Sequence, residues 1–217
     1  GHRLEHEGVS GFCHDCCFFL MSPRTQKSTL FPYPPLCQSL PEVNQPYRGW
    51  KMTFFEGGLR TPMFISWPGR IAPGSQLSDP VAHIDLMPTL AAAAGAQTPS
   101  DRVIDGVDLT PWLMGAGPGR APHDTLFWQS GYYRAVLHQG WKLQTSDLPK
   151  KDWLYHLAAD PTEQTNLAAS NPEKVGELKA LLAAHQAAGR GPLFPNVGSV
   201  PVMVDKTLGD QIGRAHV

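Results

Sequence analysis

Asn44-Gln45-Pro46-Tyr47-Arg48-Gly49-Trp50-Lys51-Met52-Thr53-Phe54-Phe55-Glu56-Gly57-Gly58-Leu59-Arg60-Thr61-Pro62 is the segment on which the fold of this chain turns. Its aromatic run leads into Glu56-Gly57-Gly58, whose glycines are expected to permit a tight approach to the strand. Glu56 and Arg60 are expected to pair or to bind backbone groups, a structural role. Lys51, taken alone, reads as a solvated loop cation. Immediately downstream, Met63-Phe64-Ile65-Ser66-Trp67 is a short, apolar, β-rich run closed by Pro68-Gly69. That pattern suits a buried strand followed by a turn.

Further along, Asp85 is placed to cap a helix through Leu86, Met87, Leu90 and the Ala91 to Ala94 block, with Gly95 ending it. The alanine face is expected to pack closely on a sheet. Asp105-Gly106 turns the chain, and Asp108 can cap a short helix through Trp112 and Leu113 before Gly115. Four β-prone runs follow, at Thr125 to Trp128, Tyr132 to Leu137, Trp141 to Thr145 and Trp153 to Leu157, and Gln139-Gly140 is a hairpin signal between the second and third. They predict a small antiparallel sheet. Asn171-Pro172-Glu173 opens a helix with a capping side chain, Pro at the first helical position and an acid favoured by the helix dipole. Val175, Leu178, Leu181 and Leu182 recur on one face, which should lie against that sheet, and Gly189 ends the pattern.

The 217 residues suffice for a sizeable core, and 18 Lys plus Arg against 19 Asp plus Glu give a formal charge of −1. Charged residues at 17% and 21 prolines describe a loop-rich globular chain. There is no basic block for nucleic acid, and no apolar run approaches the roughly 18–20 residues that cross a bilayer. All four cysteines, Cys13, Cys16, Cys17 and Cys37, precede residue 40. Cys13-x-x-Cys16 with His14, Cys17 and Cys37 could in principle hold zinc, but the second ordered ligand pair of known sites is missing, and free thiols are the favoured reading. His83-x-Asp85 is likewise better used at the helix entrance than as a metal pair. Gly115-Ala116-Gly117-Pro118-Gly119 follows a helix and lacks a Lys, so it is a loop and not a phosphate cradle.

The Lys51 to Pro62 stretch resembles the segment of type I sulfatases in which a Lys precedes an aromatic-Glu-Gly-Gly, then Arg and Pro, then an apolar strand ending in Trp-Pro-Gly. The likeness continues in order through His83-Ile84-Asp85-Leu86-Met87-Pro88-Thr89-Leu90, Asp105-Gly106-Val107-Asp108-Leu109, Arg134-Ala135-Val136, Gly140-Trp141-Lys142-Leu143, Leu154-Tyr155 and Asp160-Pro161-Thr162-Glu163-Gln164-Thr165-Asn166-Leu167. It spans about residues 41 to 185. The resemblance implies an α/β to α+β fold, the C-terminal portion of an alkaline phosphatase-like sulfatase: a strand and helix of the large sheet, then a four-stranded antiparallel sheet packed by a C-terminal helix. The expected division is 1–40 unassigned, disordered or frameshifted; 41–115 the end of the α/β domain; 116–190 the antiparallel subdomain; 191–210 an extended tail. Residues 211–217 look like translated sequencing adapter.

By the same resemblance the parent protein is a sulfuric ester hydrolase acting on a small-molecule or glycan sulfate ester. Lys51 matches the family lysine that contacts the sulfate. The nucleophile implied is a formylglycine made from the Cys or Ser of a C/S-x-P/A-x-R motif, and the cofactor a divalent metal, usually calcium, held by Asp and Asn. None of the four cysteines fits that motif, and the Asp-Asn-Gly metal triplet of the family does not occur. This chain alone is therefore expected to carry no catalytic nucleophile and no metal ligands, and to be inactive. A periplasmic or secreted parent fits the resemblance. Two alternatives stand beside it: a phosphate or phosphonate ester hydrolase of the same superfamily, and a non-catalytic α+β interaction domain binding a partner or glycan through Trp128, Tyr132, Tyr133 and Trp141.

Overall fold

The computed structural model describes residues 44–50, 53–190 and 202, together with the backbone of 17–19. The chain divides into two compact units, one comprising Gly1–Lys27 and Pro62–Pro122, the other Ser28–Thr61 and His123–Val217. Where the sequence groups residues from 41 on with the α/β residues that follow, residues 44–50 and 53–61 fall in the unit of the antiparallel sheet, and Phe55 is buried among that sheet's aromatics.

In the second unit, β3 (Thr125–Ser130), β4 (Tyr133–His138), β5 (Trp141–Asp147) and β6 (Lys150–His156) form an antiparallel meander in sequence order. The β4–β5 hairpin closes with the His138↔Trp141 pair around Gln139 and Gly140, at φ 50° and 80°. Two consecutive positive φ values are what a two-residue type I′ turn demands, and they match the twist of the flanking strands. Alternation then assigns two faces. Val136, Leu143 and Leu154 pair across the sheet on one of them, and Val175, Leu178 and Leu182 of α4 (Pro172–Ala188) cover it. The spacing of these three helix residues puts them on one stripe, so the expected helix-on-sheet packing is present. Gly189 caps the helix end as expected, but Asn171 does not cap its start: its side-chain amide donates to the Leu167 carbonyl at 3.2 Å. The opposite face carries Tyr133, Ala135, Leu137, Lys142, Gln144, Ser146, Trp153 and Tyr155, and all of them are buried.

In the first unit, β2 (Phe64–Ser66) pairs antiparallel with β1 (Cys17–Phe19), so the apolar run at Cys16 to Met21 contributes a strand where none was expected. The strand at Phe64 forms as predicted, yet it is not buried: Phe64 is 61% exposed. A turn of 3₁₀ helix (His83–Asp85) runs into α2 (Leu86–Ala93), and α3 (Thr110–Leu113) follows. Asp85 is buried at this entrance, but its carboxylate does not cap α2. Oδ2 reaches back to accept from the Ala82 amide at 2.8 Å, and Oδ1 accepts from the Val107 amide at 2.9 Å. Thr89 completes the fastening, donating to the Asp85 carbonyl at 2.7 Å and accepting from the Leu109 amide at 2.9 Å. The alanine block does not lie flat on a sheet: Ala92 and Ala94 are exposed, and only Ala93 joins Ile65, Trp67 and Leu113 around a small apolar pocket. At α3 the N-cap position is Leu109, not Asp108; Asp108 stands one residue earlier, its Oδ1 accepting from the Thr110 amide at 2.8 Å.

Candidate functional site

Arg48, Phe54 and Phe55 lie on the polar-lined face of the meander. Phe55 is fully buried, with the Trp153 and Tyr155 rings at 6.0 and 5.9 Å. Trp50 and Thr53 are fastened to each other three times. The Thr53 amide donates to the Trp50 carbonyl at 3.0 Å, the Thr53 hydroxyl donates to the same carbonyl at 2.8 Å, and the Trp50 amide donates to the Thr53 hydroxyl at 3.1 Å. The short helix α1 (Glu56–Leu59) then packs back on this turn. A Cβ at Gly58 would stand 2.2 Å from the Thr53 carbonyl oxygen and 2.6 Å from that of Trp50, and one at Gly57 would stand 2.6 Å from that of Gly49. No side chain fits there, which is the close approach the Glu-Gly-Gly motif suggested, made to loop carbonyls and not to a strand.

Beneath α1 is a buried ion cluster. Lys142 Nζ, 0% exposed in the middle of β5, stands 2.8 Å from Glu56 Oε1 and 3.0 Å from Glu163 Oε1. The Gln144 side-chain amide donates to Glu163 Oε1 at 3.2 Å, and the Glu56 backbone amide donates to Glu163 Oε2 at 2.5 Å. The Tyr133 hydroxyl donates to Gln144 Oε1 and accepts from the Phe54 amide at 3.0 Å. Arg48 Nη1 donates to the Tyr155 hydroxyl at 3.1 Å and to the Glu163 carbonyl at 3.0 Å. Lys142 thus faces two carboxylates whose oxygens are further held by backbone and side-chain amides, the condition under which charges are tolerated away from water. Burial pushes the Glu163 carboxyl above its ordinary range, against the pull of the Lys142 ammonium. Burial also pushes the Tyr133 hydroxyl strongly upward, so it stays protonated as a donor.

Glu163 arrives from the loop after β6 with φ at 57°, and two side chains hold that loop. Asp160 Oδ2 accepts from the Thr165 amide at 2.8 Å. Asn166 Oδ1 accepts from the Leu154 and Ala168 amides at 2.9 and 3.0 Å, while its amide donates to the Asp152 carbonyl at 3.0 Å. The Asp160 to Leu167 motif therefore delivers one carboxylate to the cluster.

Lys51 lies outside the described residues, as do Cys13, Cys16, Cys37 and, residue 202 apart, the expected tail from 191 and the residues after it. Glu56 has a partner, but it is Lys142 and not Arg60, which sits over the Tyr47 ring at 4.8 Å. His83 is exposed, and no group of three or more His, Cys, Asp and Glu among the described residues could hold a metal ion. Of the four aromatics considered for partner binding, Tyr133 is buried in the cluster, and Trp128, Tyr132 and Trp141 are half-buried. Sequence reasoning missed Lys142, Gln144 and Glu163. A usable signal was present, since β4 and β6 put Ala135, Leu137, Trp153 and Tyr155 on the same face as Lys142 and Gln144.

Residues 48–187 match the family described as N-sulphoglucosamine sulphohydrolase, C-terminal. Steryl-sulfatase of Rattus norvegicus is 38% identical over 115 residues, covering 53% of this chain and 19% of that protein. Arylsulfatase A of Bos taurus is 51% identical over 82 residues, covering 38% of this chain and 15% of its own length. The chain therefore spans less than a fifth of either relative, as a C-terminal portion would. Among solved structures, a protein described under the metabolism of multiple glycosaminoglycans by Bacteroides thetaiotaomicron superposes with TM-score 0.57 and 27% identity, over 70% of this chain and 34% of that one. The phosphonate monoester hydrolase of Agrobacterium radiobacter superposes with TM-score 0.50 and 25% identity, over 62% of this chain and 31% of that one. The motifs, the meander with its covering helix and the matched span agree, and this chain belongs to the sulfatase family defined by the C-terminal region of N-sulphoglucosamine sulphohydrolase.

Proposed function

We propose that the protein to which this chain belongs hydrolyses sulfate esters, and that Lys51 contacts the sulfate group. The observation that carries this reading is the match of residues 48–187, which include Lys51, to a sulphohydrolase family. An ammonium at that point would stabilise negative charge on the sulfuryl oxygens and on the departing ester oxygen, an interaction strongest in the transition state. Formylglycine and a divalent metal, usually calcium, are proposed for the complete protein. The described residues offer no group suited to such an ion, so its ligands on this reading belong to other parts of the protein, and no step is routed through it here. The chain alone is accordingly proposed to be inactive.

In the complete protein, Lys51→Ala is expected to lower kcat/KM for an aryl sulfate at least about tenfold, roughly 1.4 kcal/mol of transition-state stabilisation. Unchanged kinetics would leave Lys51 a surface cation. The likeness to a phosphonate monoester hydrolase keeps phosphate or phosphonate ester hydrolysis as a second reading. Turnover of a phosphonate monoester with none of an aryl sulfate would decide for it.

A further inference from the structure

Residues 53–59 reach the meander through ties that converge on one place. The Glu56 carboxylate bonds Lys142 at 2.8 Å, and the Glu56 amide donates to Glu163 Oε2. The Phe54 amide donates to the Tyr133 hydroxyl, and the two rings stack with centroids 4.4 Å apart. Other bonds of this stretch close it on itself or on the chain just before it: the Gly58 and Leu59 amides donate to the Phe55 carbonyl, and the Gly57 amide to that of Arg48. The stretch therefore holds its own shape, and side chains of the sheet fasten it, not strand pairing.

Burial within the cluster is graded. The Lys142 and Glu163 side chains are 0% exposed, whereas that of Glu56 is 14% exposed, so water approaches the cluster at Glu56. If this stretch lifts, Lys142 and Glu163, 3.0 Å apart, can keep each other and regain hydration. Water compensates uncovered charges in a way that it does not compensate uncovered apolar side chains. Phe55 is the one buried apolar side chain among residues 53–59, while the other face of the sheet is closed by Val175, Leu178 and Leu182 of α4. Local opening is easiest where few apolar contacts are buried, which separates this stretch from the sheet beneath it.

We propose that residues 53–59 form a strap that lifts from the meander and re-seats without unfolding it, with the Glu56–Lys142 contact as its latch. The latch selects one seat, because an ammonium, a carboxylate oxygen and a backbone amide each have few good partner positions, whereas apolar contact is non-directional. The proposal stands on the described cluster and is independent of the sulfate contact assigned to Lys51.

The test is amide hydrogen exchange on the 217-residue chain, wild type against Glu56→Gln. In the wild type the Phe54, Glu56 and Gly58 amides are expected to be protected at least about tenfold less than the slowest amides of β4 and β5. Glu56→Gln keeps the shape of the side chain and removes the charge from the latch. It should quicken the strap amides by a further fivefold or more, and those of β4 and β5 by less than about twofold. Equal protection of strap and sheet in the wild type would mean that the two open only together, and would overturn the strap. Unchanged strap exchange in Glu56→Gln, or equal acceleration of strap and sheet, would overturn the latch. Should the Gln variant not fold, Glu56→Asp, which draws the carboxylate back from Lys142 by one methylene, is held to the same outcomes.

Discussion

The two units of this chain bury their apolar residues very differently. In the second, Val136, Leu143, Leu154, Val175, Leu178 and Leu182 close one face of the meander, and Phe55, Tyr133, Trp153 and Tyr155 close the other. In the first, Phe64, Met87, Leu90 and Val103 stand exposed, Val103 at 87%, and burial is concentrated in the Asp85, Thr89 and Leu109 fastening. A contiguous meander pairs each strand with its sequence neighbour and so completes both faces from local chain. Among the described residues of the first unit these apolar side chains are left uncovered, and exposed apolar surface of this kind characterises surfaces that other structure covers. The described residues of the antiparallel unit thus close both faces of its sheet, and one of those faces holds a buried charge cluster among its aromatics.

The largest effect that can break this comparison is expected at Lys142. Lys142→Met leaves Glu56 and Glu163 facing each other without their cation, and should destabilise the second unit by about 3–5 kcal/mol in urea unfolding of the isolated chain. A loss below about 1 kcal/mol would mean that the charge cluster contributes little. A smaller, pH-dependent effect is expected at Asp160. Partial burial raises its carboxyl, but the backbone amides of Thr165, Gln164 and Glu163 and the Thr162 hydroxyl together hold it below the ordinary 3.8. Its contribution is therefore present above pH 3.8 and lost as pH falls through the lowered value. The stability gap between wild type and Asp160→Asn should narrow below that pH, and a gap constant with pH would refute the assignment. Glu163 has the opposite sign: its raised carboxyl favours the folded state fully below 4.5 and loses that contribution as pH rises through the folded value. The smallest effect belongs to the first unit. Phe64→Ser should change stability of this chain by no more than about 0.5 kcal/mol, and a loss above about 2 kcal/mol would show that the exposed strand face is closed within the chain after all.

How much of this was legible in the sequence depends on how locally each feature is decided. Gln139-Gly140 announced its hairpin because the turn chemistry lies in two adjacent residues. The α4 stripe announced its packing because Val175, Leu178 and Leu182 recur within one helix. Asp85 and Asn171 were recognised as residues at helix entrances, but the partners of their side chains were not, since an Asx side chain has several backbone groups within reach and the neighbouring loop selects among them. Lys142 and Gln144 escape a reading from sequence for a different reason. Strand alternation separates two faces without saying which is wet, and this one is covered by distant chain, Phe55 and Phe54, Val202 and the Glu163 loop among it.

The sequence by itself determined the strands, turns and helices of the antiparallel unit and, through the ordered motifs from Lys51 to Leu167, the sulfatase family. Only the tertiary structure decided that the Glu-Gly-Gly, Trp-Lys-Leu and Asp-Pro-Thr-Glu motifs meet in one buried cluster. Glu56 lies 86 residues from Lys142 and 107 from Glu163. Turn and helix propensities act over a few neighbouring residues, whereas a buried charge is tolerable only if its partner arrives, and that depends on how the whole unit closes.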